Sequence, residues 1–187
     1  YSSEKQRKTE IKIFDDVDVR KVVIRNTKLY VNREEGFIGT SLRRDEYVCD
    51  CSDIDDIIVF TENCNMMVTR VGSKTFIGKN IIHVAVFKKK DLRTIYNMVY
   101  KGGDKGYGYI KRFAVSGVTR DKMYVLSSSK KPSTVKYFSA NPNGEAEKVT
   151  INLRQNSKLK KLRWDIDFSD VIIKGRGTRG NILTKNT

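Results

Sequence analysis

Four turns rich in Asn or Gly recur along this chain at an almost constant step. They centre near Asn26, Asn63, Gly103 and Asn143, which are 37, 40 and 40 residues apart. Each lies between runs of β-branched and aromatic residues: 22–33 (VVIRNTKLYVNR), 57–70 (IIVFTENCNMMVTR), 95–113 (IYNMVYKGGDKGYGYIKRF) and 135–154 (VKYFSANPNGEAEKVTINLR). Alternating runs around such a turn predict a β-hairpin. A second marker has the same period. Gly39, Gly78 and Gly117 follow the first three hairpins at steps of 39 and 39, and Asn156, which tolerates a left-handed backbone, takes the fourth place. The three glycines are therefore expected at equivalent positions whose backbone disfavours a Cβ. No stretch keeps a helical period beyond two turns, so the chain reads as all-β. A repeat near 40 residues with short strands is the scale of a propeller blade. The expectation is a lead-in over 1–18, then a disc of about four hairpin units at 19–56, 57–94, 95–134 and 135–187.

Composition narrows the function. With 187 residues, 39% of them hydrophobic, the chain can bury a core. No apolar run approaches the ~20 residues of a membrane helix, so no membrane partner is expected. The start, YSSEKQRK, carries neither an initiating Met nor an apolar signal core, which suggests a piece of a longer cytoplasmic protein. Three cysteines outside any disulfide framework fit a reducing compartment. Charge is the strongest signal, with 37 Lys+Arg against 22 Asp+Glu and a net +15. Such an excess points to a polyanionic partner.

Certain segments are more specific. The hairpin VVIRNTKLYVNR with its glycine-bearing sequel, the stretch IKRFAVSGVTRDK and the closing KGRGTRGNILTK resemble the C-terminal DNA-wrapping domain of type IIA topoisomerase A subunits, gyrase A and topoisomerase IV A. The resemblance runs from about Val19 to the end. It implies a β-pinwheel, a propeller-like disc whose basic rim binds and bends duplex DNA. It also implies that the rest of the A subunit, together with the B subunit, is a partner, that the location is cytoplasmic and nucleoid-associated, and that no catalytic residue, metal or cofactor lies here. ATP and Mg²⁺ would act in other domains or in the partner subunit. Gyrase A carries a box of the type QRGGKG. Here the equivalent loops are degenerate, and the most box-like is 175–180 (GRGTRG), which favours topoisomerase IV.

DNA contact can also be argued residue by residue. Arg33, Arg70, Arg112 and Arg154 each close the second strand of a predicted hairpin, so equivalent blades would set them along one edge of the disc. Lys and Arg at regular spacing neutralise phosphates and release counterions without reading bases. Lys111, Lys158, Lys160, Lys161 and Lys174 extend this field, with Lys88–Lys90, Lys130, Lys131 and Arg163. In the loop 175–180 the glycines would let backbone amides approach a phosphate, flanked by Arg176 and Arg179.

Competing chemistries are weaker. The spacing Gly175-x-Gly177-x-x-Gly180 matches a dinucleotide fingerprint but requires a following helix in a βαβ unit. Cys49, Cys51, Cys64 and His83 could supply four zinc ligands, yet C-x-C in a strand chelates poorly. Asp50, Asp53, Asp55 and Asp56 read as turn chemistry before a strand. His83 reads as a core or rim side chain, and Trp164, Tyr107 and Tyr109 as filling between blades rather than stacking platforms for bases. The rival from another class is a propeller that binds an acidic protein.

Overall fold

The structure, a computed structural model, describes residues 27–102, 105–129, 131–154 and 161–185. In chain order the first strands are β1 (Thr27–Asn32), β2 (Phe37–Gly39), β3 (Glu46–Cys51), β4 (Asp56–Thr61), β5 (Asn65–Arg70), β6 (Thr75–Phe76), β7 (Ile81–Phe87) and β8 (Ile95–Gly102). There follow β9 (Tyr107–Ala114), β10 (Tyr124–Val125), β11 (Thr134–Asn141), β12 (Lys148–Asn152), β13 (Arg163–Asp167), β14 (Ile173–Gly175) and β15 (Asn181–Thr184). One short 3₁₀ turn, Phe168–Asp170, interrupts them. The described residues are all-β, as the periodicity predicts.

The strands make four sheets in the orders β3-β1-β2-β6, β7-β4-β5-β10, β11-β8-β9-β14 and β12-β13, with β15 also on β9. One rule generates the first three. Two strands in sequence form a central hairpin, and a later strand covers the first of them. The outer edge of the second is covered by a strand donated from the following unit. Thus β6 lies on β2, β10 on β5 and β14 on β9. Pairing β2 in this way hides its edge, which would otherwise template aggregation.

Alternation along the strands then stacks the sheets. On β4, Ile57 and Val59 face the first sheet, where they pack with Leu29, Val31, Ile38 and Cys51. Their neighbours Ile58 and Phe60 face the third sheet and meet Tyr96, Met98, Tyr100, Tyr109 and Phe113. Val99 and Ile110, on the other face of the third sheet, meet Phe168 and Val171 beside the fourth. The second and third sheets are therefore covered on both faces. That explains why β4 and β8 are almost continuously apolar rather than alternating.

Several sequence expectations change here. The hairpins at 57–70 and 95–113 form, with β4 on β5 and β8 on β9. The one expected at 135–154 does not, because β11 pairs with β8 and β12 with β13. Its turn near Asn143 is a connection between two sheets. In the first expected hairpin the turn at Asn26 lies outside the described residues, and β1 pairs with β2 and β3 instead. The marker glycines are not equivalent either. Gly39 ends β2, where a Cβ would fall 2.1 Å from the Ser73 carbonyl oxygen; Gly78 takes φ +135; Gly117 faces open space. Phe37-Ile38-Gly39 and Phe76-Ile77-Gly78 repeat in sequence, but Phe37 and Phe76 are ladder partners with rings 5.2 Å apart.

Candidate nucleic-acid interface

Strand alternation decides which cations are available. Lys111 lies on β9 between Tyr109 and Phe113, so its side chain enters the core between the second and third sheets and is 1% exposed. Burial of an ammonium demands compensation. Nζ donates to the carbonyls of Leu126 at 2.8 Å, Arg176 at 2.7 Å and Thr178 at 2.7 Å, and lies 4.6 Å from the Phe113 ring centre. Desolvation pulls its pKa down to about 8. Arg112 points to the opposite face, towards the β11–β12 connection, and donates to the carbonyls of Gly144 and Glu145. It too is buried. The expectation that Lys111 and Arg112 face DNA is corrected by this geometry, since a sheet covered on both faces leaves neither side chain at a rim.

The loop 175–180 is held from below. Besides the two Lys111 bonds, the Tyr100 hydroxyl donates to the Arg179 carbonyl at 2.6 Å and the Ser128 hydroxyl to that of Gly177. Four consecutive carbonyls, from Arg176 to Arg179, are thus turned inward. Gly180 takes φ +90, and a Cβ there would fall 2.4 Å from the Ile110 carbonyl oxygen. Arg176 is also engaged: it donates to the Gly117 carbonyl and its guanidinium sits 4.2 Å above the Tyr124 ring centre. Arg179 and Lys174 remain exposed, Lys174 near the Asn181 side chain at 3.4 Å. The dinucleotide reading fails on topology, because β14 before the loop and β15 after it are both strands.

The four arginines do not share an edge. Arg33 sits in the turn after β1, with its guanidinium bidentate on Glu46 at 2.7 Å to each oxygen and a further bond to the Ile81 carbonyl. This pairing raises the arginine pKa and lowers that of Glu46. Arg70 ends the second strand of its hairpin, hence the opposite end of the sheet from a β1-type turn. It is exposed, while its cross-strand neighbour Asp56 is taken by Arg120 at 2.7 and 3.1 Å. Arg154 follows β12, the first strand of its pair.

Arg154 is the member that gathers company. It lines a cleft of about 780 Å³ between the third and fourth sheets, together with Lys101 from β8 and Lys136 from β11. All three are exposed, and no carboxylate is among the lining residues. The floor is apolar and includes Val99, Ile151 and Leu183. Beside it the β12–β13 ladder continues through a bond from the Leu153 amide to the Leu162 carbonyl, which brings exposed Lys161 and Arg163 to the same end as Arg154. Lys158 and Lys160 lie outside the described residues. Lys101 and Lys136 were not expected from sequence. The available signal was a lysine near the end of an otherwise apolar run (Lys101), and one at the bulge between Val135 and Tyr137 (Lys136).

Of the rejected sites, the cysteines divide between two cores, Cys51 with the first and second sheets and Cys64 with the second and third. His83 packs near the rings of Phe60, Tyr96 and Phe138, and burial lowers its pKa to about 4. Asp55 accepts from the Ser52 amide, which is turn chemistry.

Comparison with known proteins adds to this geometry. A family model described as Topoisomerase C-terminal domain, Bacteroidota, matches residues 28–187. The chain is similar to the A subunit of DNA topoisomerase 4 from Borreliella burgdorferi, 34% identical over 125 residues, which is 66% of this chain and 20% of that protein. The match thus spans about a fifth of the length of that relative. No solved structure matches.

Proposed function

Since the chain belongs to the family of bacterial topoisomerase C-terminal domains, we propose that it is a non-catalytic module that binds and bends duplex DNA for a type II topoisomerase, of the topoisomerase IV kind. It would act in the A subunit beside its B-subunit partner. The observation that carries this reading is the carboxylate-free cleft with Lys101, Lys136 and Arg154 at its mouth, continued by Lys161 and Arg163. Five exposed cations on adjoining strands offer phosphates a row of neutralising charge, and their long stems adapt to a backbone without reading base edges. Bending follows from electrostatics, because a duplex that curves towards a basic surface gains contacts that offset its elastic cost of ~1–6 kcal/mol. The module's contribution is positional, with cleavage, religation and nucleotide hydrolysis left to other parts of the enzyme.

The test is the affinity of the chain for a linear duplex across a salt series. Counterion release gives a straight log–log decline with a slope of about −0.9 per phosphate contacted, similar for unrelated sequences. A flat salt response, or affinity confined to one sequence, would replace this reading with a protein partner or a base-reading site.

A further inference from the structure

A second cavity lies where the second and third sheets meet, at the β7–β8 connection, away from the basic cleft. It measures about 380 Å³, and its lining includes His83, Phe87, Lys88, Asp91, Arg93 and Tyr96. Two of these carry unspent hydrogen-bonding capacity. Tyr96 is 5% exposed, yet among the described residues neither its hydroxyl nor the imidazole of His83 hydrogen-bonds to a partner. Their polar atoms are open to the cavity, since the buried unpaired side-chain atoms among the described residues are Asn97 Oδ1 and Arg112 Nε, and a ligand that supplies partners is favoured there. The remaining lining divides by polarity. Phe87, Tyr96 and His83 supply the aromatic part of the lining, while Lys88 and Arg93 are exposed. Arg93 lies 3.7 Å from Asp91 with its side chain 81% exposed, so an incoming anion can recruit it. Asp91 accepts bonds from the Arg93 amide and the Thr94 hydroxyl, which fixes the connection around the mouth.

We infer that this cavity is a binding site for a single nucleotide, with the base against Tyr96, His83 and Phe87 and the phosphate on Lys88 and Arg93. Three features select this ligand class. The volume is at the lower end for small-molecule sites, which suits one nucleotide rather than an oligomer. A neutral imidazole both donates and accepts, and a phenol does likewise, so the aromatic lining matches a heteroaromatic edge bearing both kinds of group. A purely apolar ligand would leave both groups unpaired. The exposed cations supply an anion site, as a phosphate on an uncharged base requires. The ligand could be a free nucleotide or the phosphorylated end of a single strand.

The experiment titrates the chain with deoxyadenosine 5′-monophosphate, deoxyadenosine, inorganic phosphate and a 5′-phosphorylated single strand, with amide chemical shifts around 83–96 as the readout. The expected result is saturable binding of the monophosphate, tighter than either half alone, that shifts amides on both β7 and β8. Tyr96→Phe keeps the ring and removes only the hydroxyl, so the fold should be retained. It should weaken the monophosphate roughly three- to tenfold, the range one hydrogen bond supplies, and leave duplex affinity unchanged. Lys88→Gln with Arg93→Gln should bring the monophosphate down to the level of the nucleoside. Tighter binding by the phosphorylated strand than by the monophosphate assigns the site to strand ends, and the reverse to free nucleotide. Inorganic phosphate binding as well as the nucleotide, shifts elsewhere in the chain, or an unaffected Tyr96→Phe variant would each overturn the proposal. Duplex binding measured on the same samples keeps the two readings separable, because neither outcome there depends on this cavity.

Discussion

The loop 175–180 and the cleft between the third and fourth sheets are both basic, but they use their charge differently. In the loop, Arg176 is stacked on Tyr124 and bonded to the Gly117 carbonyl, while Lys111 beneath holds the carbonyls of Arg176 and Thr178. In the cleft, Lys101, Lys136 and Arg154 are exposed and face no carboxylate. Positive charge counted along a sequence is therefore not positive charge offered to a partner. Part of the net +15 serves the fold, and β-strand alternation decides which part.

The largest expected effect breaks the loop. Lys111→Met keeps most of the side chain's length but leaves the carbonyls of Leu126, Arg176 and Thr178 without their donor. The loss is expected at about 2–4 kcal/mol, or roughly 5–15 °C in Tm for a chain of this size. Hydrogen exchange should rise first in 176–180. A stable variant with a protected loop would mean that the ammonium is not what holds it.

Next in size is the cleft. Replacing Lys101, Lys136 and Arg154 together by Glu should weaken duplex binding steeply and shallow the salt slope by roughly 2–3. Thermal stability should hardly change, since exposed charges contribute little to it. The same variant with unchanged DNA affinity would remove the cleft from the interface.

A pH series sharpens the contrast, because only the loop's lysine is buried. Folding lowers the Lys111 pKa from 10.5 to about 8. Above pH 8 the folded chain has released a proton that the unfolded chain retains, so stability rises as pH climbs from 8 towards 9. The neutral amine has two donors for three carbonyls, so the loop should exchange faster over the same interval. From pH 9 the buried Cys64 thiol, pushed up from 9.0 to about 12, acts in the opposite direction, joined beyond pH 10 by the buried Tyr96 and Tyr100, both with raised values. On the acid side His83, lowered from 6.5 to about 4, gives stability that is present above 6.5 and lost as pH falls to 4. Denaturation midpoints of the parent, Lys111→Met and His83→Gln chains would test this. The alkaline rise should vanish in the first variant and the acid fall should shrink in the second.

The smallest effect concerns Arg176. Arg176→Lys keeps the charge but loses the planar stack on Tyr124, for an expected ~0.5–1 kcal/mol and little change in duplex affinity. Differential denaturation resolves that difference, and a large loss of DNA binding would show that Arg176 reaches outward after all.

Much of the fold was legible in the sequence, but its phase was not. The runs around Asn63 and Gly103 gave true hairpins because both strands of each pair are local. Around Asn143 the signals look alike, with Gly144 at φ +75 and its amide bonded to the Asn141 carbonyl. A turn fixes only the reversal of the chain. Whether the flanking strands pair or part into neighbouring sheets depends on packing against β8 and β13, which no local pattern encodes. The same limit applies to the site. Arg112 and Lys111 are adjacent and looked equally exposed until the third sheet was seen to be covered on both faces. A closer reading of alternation would have found Lys111, since it shares parity with Tyr109 and Phe113. Lys136 had no comparable signal, because its place at the cleft depends on how the fourth sheet packs.

The most direct measurement is the salt dependence of duplex binding for two variants side by side, one with Lys101, Lys136 and Arg154 changed to Gln, the other with Lys174, Arg176 and Arg179 changed to Gln. Each loses three positive charges, so the net charge of the two is the same. If the cleft carries the interface, the first variant should lose roughly 2–3 from the slope and the second no more than about one, from its exposed Lys174 and Arg179. Equal slopes in the two, or the larger loss in the second, would contradict the account and return the DNA contact to the loop.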